Sequence, residues 1–163
     1  MLLVEVMDDY WTIIENTGQI HDIPSDLNNA LFDVQSIQTK RLYERGTVLL
    51  MIETGKGYQT FEFDHRGQIC AHNPQIFSDK EKKEGEHVLA DSKGNIYRFI
   101  CSGTQEGDNA INIVRASLTE PNKENLKMLV NYNGGHAKQF IVLENYFCWL
   151  VVEDDQRKVY VKN

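Results

Sequence analysis

The first 39 residues contain no lysine and no arginine, although the chain has 17 basic residues in all. Of its 24 acidic residues, seven lie in this segment and seventeen in residues 40–163, so the net charge of −7 belongs to the segment alone. Local charge governs association with partners more than the choice of fold. We therefore expect residues 1–39 to attract a basic surface and to repel a phosphate backbone. The seven acids are Glu5, Asp8, Asp9, Glu15, Asp22, Asp26 and Asp33.

Cysteine and long apolar runs are scarce as well. Cys70, Cys101 and Cys148 lie far apart, with no Cys-x-x-Cys spacing. An odd, dispersed set is typical of free thiols in a reducing compartment and not of a disulfide framework. No apolar run approaches the length of a membrane span, and the opening residues lack the basic region of a signal peptide. These absences predict a cytoplasmic protein without a membrane segment.

The common catalytic and cofactor motifs are also missing. The sequence has no P-loop, no Gly-x-Gly-x-x-Gly turn, no Gly-x-Ser-x-Gly elbow and no His-Glu-x-x-His zinc helix. Its five histidines do not form the paired short spacings of a structural zinc site. We therefore expect no metal, no cofactor and no intrinsic catalytic activity. The lack of a basic stripe counts against direct nucleic-acid binding.

A turn recurs three times, at residues 15–20, 64–69 and 91–96. Each copy reads acid, two polar residues, glycine, amide and isoleucine. The acid can accept backbone N–H bonds, glycine supplies a positive φ, and isoleucine begins a new strand. The pattern predicts hairpins grouped in four meanders, over roughly 2–23, 47–72, 87–116 and 138–162.

The segments between the meanders predict two helices. Residues 26–44 carry apolar side chains at helical spacing after Pro24. An alternative interpretation makes residues 31–42 a strand, since apolar residues there alternate loosely. In the second segment, 120–132, Pro121 suits a first helical turn and Leu126, Leu129 and Val130 form an apolar stripe.

The fold that follows is one α+β domain, 1–163, built mainly of antiparallel meanders. We predict eight to eleven short strands and two helices, at about 26–44 and 120–132. The alternative is an all-β, blade-like or barrel array in which residues 26–44 are strands. Repeats of forty to fifty residues resemble propeller blades in arrangement, although each predicted unit has three strands where a blade needs four.

Charge and composition together favour a small acidic cytosolic protein-binding module. We expect it to dock a basic surface of another protein through residues 1–39, which is the physical character of an inhibitor or immunity-type protein. Aromatic side chains at 146–149 alternate onto both faces of a strand, where they form either an exposed patch or core. The predicted binding residues are Asp8, Asp9, Tyr10, Trp11, Asp22, Asp26, Asp33, Tyr146, Phe147 and Trp149.

A second hypothesis is a cysteine hydrolase. Cys101 precedes His136, which opens the strand containing Glu144, and this order resembles that of papain-like enzymes. In those enzymes the cysteine begins a helix, whose dipole lowers the thiol pKa. Cys101 instead ends a predicted strand.

Overall fold

Two of the recurring turns have the predicted hydrogen bonds in the computed structural model. Asp64 Oδ1 accepts bonds from the backbone N–H groups of Arg66 and Gln68, at 2.8 and 2.9 Å. Asp91 Oδ1 accepts the two equivalent bonds, each 2.9 Å long, in its own turn. These bonds hold the two hairpins closed, so the prediction of the turns at 64–69 and 91–96 is confirmed. The acid of the turn predicted at 15–20, Glu15, lies outside the described residues. The glycine of each of the three copies, Gly18, Gly67 and Gly94, has the predicted positive φ.

The structure describes the backbone in nine stretches, and within these stretches it leaves some side chains undescribed. Side chains are left undescribed at 2–7, 10, 11, 13, 14, 103, 108, 133 and 153. The described backbone covers residues 2–7, 10–14, 17–77, 86–103, 108–133, 135, 137–143, 146–153 and 155–163.

The chain divides into two compact units, residues 1–78 and 79–163. The prediction that 1–163 form a single domain stays a prediction. The first unit holds two antiparallel sheets in simple meander order. Sheet A consists of β1 (Leu2–Met7), β2 (Tyr10–Ile14) and β3 (Ile20–His21). A helix, α1 (Ser25–Phe32), leads to sheet B, which consists of β4 (Val34–Leu42), β5 (Thr47–Thr54), β6 (Gly57–Phe63) and β7 (Ile69–Asn73).

The second unit holds two further antiparallel meanders. Their inner faces share one core of alternating apolar side chains, so the sheets pack face to face. Sheet C consists of β8 (Glu86–Ala90), β9 (Asn95–Gly103), β10 (Asp108–Ser117) and β11 (Leu126–Asn133). Sheet D consists of β12 (Ala137–Leu143), β13 (Tyr146–Glu153) and β14 (Gln156–Lys162).

Helix α1 covers one face of sheet B. It buries Leu27, Ala30 and Leu31 against a sheet face that includes Leu50 and Phe61. These helix positions recur at intervals of three and four residues, the spacing of one helical face. Burial of a leucine stabilises a fold by about 2 kcal/mol, so the two leucines fix the helix on the sheet.

The predicted helix at 26–44 is correct only in its first part. Helix α1 ends at Phe32, and β4 follows from Val34. The physical reason is pairing with β5, in which Ile37 lies opposite Ile52. Tertiary pairing outweighs the weak helical periodicity of these residues.

The predicted helix at 120–132 is wrong. Residues 126–133 form β11, which pairs with β10 along its length. Val130 and Tyr132 are buried in the core, whereas Leu129 points outward and is exposed. The apolar residues that face the core therefore follow a period of two, and the stripe through Leu129 was coincidental.

These two corrections supply a fourth strand to sheets B and C. Four strands in meander order are the composition of a propeller blade, whereas sheets A and D have three each. None of the four described sheets closes into a barrel. The described residues include more strands than the eight to eleven predicted. The chain is thus mainly antiparallel β, with one short described helix.

Candidate functional site

Helix α1 places two of the predicted acidic residues beside one cleft. Asp26 and Asn29 of α1 and Asp33, which directly follows the helix, are spaced by three and four residues, so they lie along one side of it. The side chain of Asp26 is 72% exposed. Asp26 also lies in the first helical turn, where the helix dipole favours a negative charge.

Sheet B forms the facing wall of this cleft. Thr54 ends β5, Lys56 lies in the β5–β6 turn, and Gln59 and His72 project from β6 and β7. The cleft has a volume of about 320 Å³. We call it the α1 cleft, and its lining residues are Asp26, Asn29, Ala30, Asp33, Thr54, Lys56, Gln59, His72 and Pro74.

The β5–β6 turn is tied to the end of α1. Asp33 Oδ2 accepts a hydrogen bond of 3.1 Å from the backbone N–H of Gly55. Thr54 Oγ1 accepts one of 3.2 Å from the N–H of Lys56 and donates one of 3.3 Å to the carbonyl of Gly57. The two walls of the cleft are therefore joined on the side of Asp33.

His72 has a defined place between both walls. Its ring stacks on Phe61, with centroids 4.2 Å apart and an interplanar angle of 11°. Its Nδ1 lies 3.8 Å from Asp26 Oδ2, and its Nε2 lies 3.4 Å from Gln59 Oε1. The imidazole therefore lies between a polar atom of α1 and a polar atom of β6.

The α1 cleft combines two carboxylates and side-chain amides with one lysine. Carboxylate and amide oxygens accept hydrogen bonds, so the arrangement suits a cation with several N–H donors. In the part of the chain that the structure describes, no group of three His, Cys, Asp or Glu residues could hold a metal ion.

The structure describes the other predicted binding residues of the N-terminal segment only in part. Asp22 is exposed between β3 and α1. Tyr10 and Trp11 belong to β2, opposite Met7 and Glu5 of β1. Their side chains lie outside the description, and Asp8 and Asp9 lie outside the described residues altogether.

The aromatic residues at 146–149 divide between two surfaces. Tyr146 is exposed on the outer side of sheet D. Trp149 is 3% exposed, and its indole stacks on Tyr160 with centroids 5.6 Å apart. Phe147 packs edge-on against Tyr97 at 5.2 Å. The alternatives for this segment were an exposed patch and core, and Phe147 and Trp149 belong to the core.

Cys101 lies in an environment that disfavours its thiolate. The side chain packs against the core between sheets C and D, and this burial raises the pKa of its thiol above the usual value. A raised pKa lowers the fraction of nucleophilic thiolate at neutral pH. His136 and Glu144, the other residues of the hydrolase hypothesis, lie outside the described residues.

Sequence reasoning missed His72, Gln59 and Lys56, which line the α1 cleft together with the two aspartates. Their positions in the cleft depend on the strand register, in which His72 lies opposite Phe61, and on the helix that covers this face of sheet B. The alternating pattern of β7 is the one signal that points to the face of His72. It does not show what lies opposite.

Comparison of the chain with protein families, curated proteins and solved structures gives no match. Among the described residues, no helix combines the length and apolar character needed to cross a membrane.

Proposed function

We propose that this protein is a cytosolic protein-binding module that docks a basic surface of another protein at the α1 cleft. One observation carries the proposal: Asp26 and Asp33, two of the acids from the segment without lysine or arginine, line the same cleft. Their two carboxylates give the cleft two anionic groups for one cationic side chain.

The size of the cleft supports a single inserted side chain. Ligand pockets span about 300–1,000 Å³, and a volume of about 320 Å³ is at the lower end. An arginine head group has five N–H donors in a planar fork, which suits spaced carboxylate and amide oxygens. The remaining acids of residues 1–39 then act at longer range, since charge complementarity speeds association and weakens as salt screens it.

The role that this chemistry supports is that of an inhibitor or immunity-type protein. A partner that handles phosphate presents a positive cleft, and an acidic protein that covers this cleft, with an arginine of the partner inserted into the α1 cleft, excludes the substrate. The free cysteines agree with a reducing compartment.

The first experiment tests the cleft with a defined probe. The ¹⁵N-labelled protein is titrated with the blocked peptide Gly-Ser-Arg-Ser-Gly at low salt, with Gly-Ser-Glu-Ser-Gly as the control peptide. We expect saturable amide shifts at Thr54, Lys56 and Gln59 with the arginine peptide alone. Absence of saturable shifts at these residues contradicts the proposed site.

The second experiment uses the native partner, captured from the host and purified. The double variant Asp26→Asn/Asp33→Asn should weaken binding at least tenfold, whereas Glu44→Gln, an exposed acid outside the cleft, should leave it unchanged. Binding should also weaken between about 0.05 and 0.5 M salt, because the Debye length falls over this range. Equal affinity of the double variant and the wild type would overturn the proposal.

A further inference from the structure

The outer face of sheet D is apolar and exposed. Six large apolar side chains on it have between 42% and 67% of their surface accessible. Antiparallel sheets that face water on one side carry polar residues there, so this face departs from the usual pattern. The six residues are Ile141, Leu143, Tyr146, Val152, Val159 and Val161.

Strand register shows that these side chains form one continuous surface. Ile141 lies opposite Cys148, and Cys148 lies opposite Val161 on the next strand. Directly paired residues share a face of the sheet. The row therefore crosses all three strands, and half-buried Cys148 occupies its centre. Leu150 and Val159 continue the apolar surface in the next row, whose member on β12 is Gln139.

The inner face of the same sheet is already covered. Phe140, Val142, Trp149 and Val151 are buried against sheet C. Sheet D thus has two apolar faces, and the sequences of its strands have the apolar pattern of strands that are buried on both sides. The inner face shows which kind of surface covers such strands in this chain, namely the apolar face of another antiparallel sheet.

We propose that the outer face of sheet D binds the same face of a second copy of this chain. The face carries little charge among the described residues: Arg157 lies opposite Val152 near one end of the β13–β14 ladder, and exposed Lys138 lies in the β12 bulge between Ala137 and Gln139. Two copies therefore meet without a cluster of like charges. A two-fold axis makes one patch serve both partners, and the two sheets pack about 10 Å apart.

The area agrees with a weak dimer. Six large side chains that are about half exposed offer roughly 500 Å² per copy, near the upper end of apolar patches on monomeric proteins. Two such faces bury roughly 1,000 Å², the lower bound for a specific interface. The dimer should therefore form in the micromolar range of concentration.

Sedimentation equilibrium of the full chain from about 1 to 200 µM tests this association. We expect a monomer–dimer equilibrium for the wild type and at least a tenfold higher dissociation constant for Val159→Lys and for Ile141→Lys. Leu129→Lys is the matched control, because Leu129 is equally exposed but lies on sheet C. Its dissociation constant should equal that of the wild type.

Crosslinking locates the interface independently. In a Cys70→Ser background, a short bismaleimide should join Cys148 to Cys148 of the second copy, and Cys148→Ser should abolish the product. A monomer at every concentration, open-ended association, or lysine variants that dimerise as well as the wild type would each overturn the proposal.

Discussion

Asp33 and Gly55 are joined across 22 residues of sequence, because the carboxylate of Asp33 accepts a 3.1 Å hydrogen bond from the backbone N–H of Gly55. The bond links Asp33, the C-cap residue directly after α1, to the turn between β5 and β6. It also holds one of the two carboxylates of the α1 cleft in place. A hydrogen bond to a charged group contributes about 1.5–3 kcal/mol to stability.

Gly55→Ala should weaken this link. A Cβ on residue 55 would lie 3.1 Å from Asp33 Oδ2, closer than ordinary van der Waals contact. We expect the free energy of unfolding in urea to fall by about 1 kcal/mol, as the bond lengthens to relieve the contact. Asp26→Asn is the control, since the exposed Asp26 side chain should change stability little. A Gly55→Ala protein as stable as the wild type would contradict this account.

Arg98→Met should destabilise the second unit strongly. Arg98 donates a 2.8 Å bond to Glu86, and both side chains are almost fully buried. Removal of one partner leaves a buried charge uncompensated, which costs about 3–5 kcal/mol. The double variant Arg98→Met/Glu86→Gln should recover part of that loss in thermal or urea unfolding.

An exposed ion pair provides the control for Arg98→Met. Lys123 lies 3.1 Å from Glu120 with both side chains mostly exposed. Lys123→Met should therefore change stability by less than about 1 kcal/mol. Equal losses from Lys123→Met and Arg98→Met would contradict the importance of burial.

Asp91→Ala should cost more stability than Asp64→Ala, although the two turns share one sequence pattern. Asp91 is buried, and its Oδ2 also accepts bonds from the Asn95 side chain at 2.8 Å and the Tyr97 hydroxyl at 3.2 Å. Loss of these bonds should lower the free energy of unfolding by about 2–3 kcal/mol. Denaturant unfolding of both variants provides the comparison, and a larger loss from Asp64→Ala would refute it.

Asp64 should also contribute to the pH dependence of stability. The backbone N–H of Gln68 holds the pKa of this carboxyl below the usual 3.8. The folded state therefore favours the ionised form, and its contribution is complete above the unfolded pKa and lost as pH falls through the folded one. In Asp64→Asn, the free energy of unfolding should therefore fall less as the pH is lowered than it does in the wild type. Equal pH dependence of the two proteins would contradict this role of Asp64.

Cys101 should react slowly with iodoacetamide at neutral pH. Burial raises the pKa of its thiol above the ordinary cysteine value of 9.0, so less thiolate is present at a given pH. Its alkylation rate should continue to rise to a higher pH than the rate of a free cysteine peptide does. Mass spectrometry of each cysteine from pH 7 to 11 measures these rates. Fast, selective modification of Cys101 at pH 7 would overturn this prediction and favour the hydrolase hypothesis.

Local patterns predicted the hairpins well and the intervening segments poorly. Asp64 and Asp91 each act within five residues of sequence, so their turns depend on little beyond the local chain. The apolar side chains of residues 126–133 fit the spacing of a helix as well as that of a strand, and pairing with β10 selects the strand. Of the residues that line the α1 cleft, Asp26 and Asp33 are among those predicted from charge to bind a partner, whereas His72 is not.

The amino-acid sequence by itself determined the acidic N-terminal segment, the acid-and-glycine turns and the antiparallel character of the chain. These features rest on side-chain charge, on φ preferences and on alternation, all of which act over a few residues. Tertiary structure alone decided that residues 34–42 and 126–133 complete sheets B and C. It also placed Asp26 beside His72 and left one face of sheet D apolar and exposed. Such relationships depend on long-range register and packing, which a local pattern does not specify.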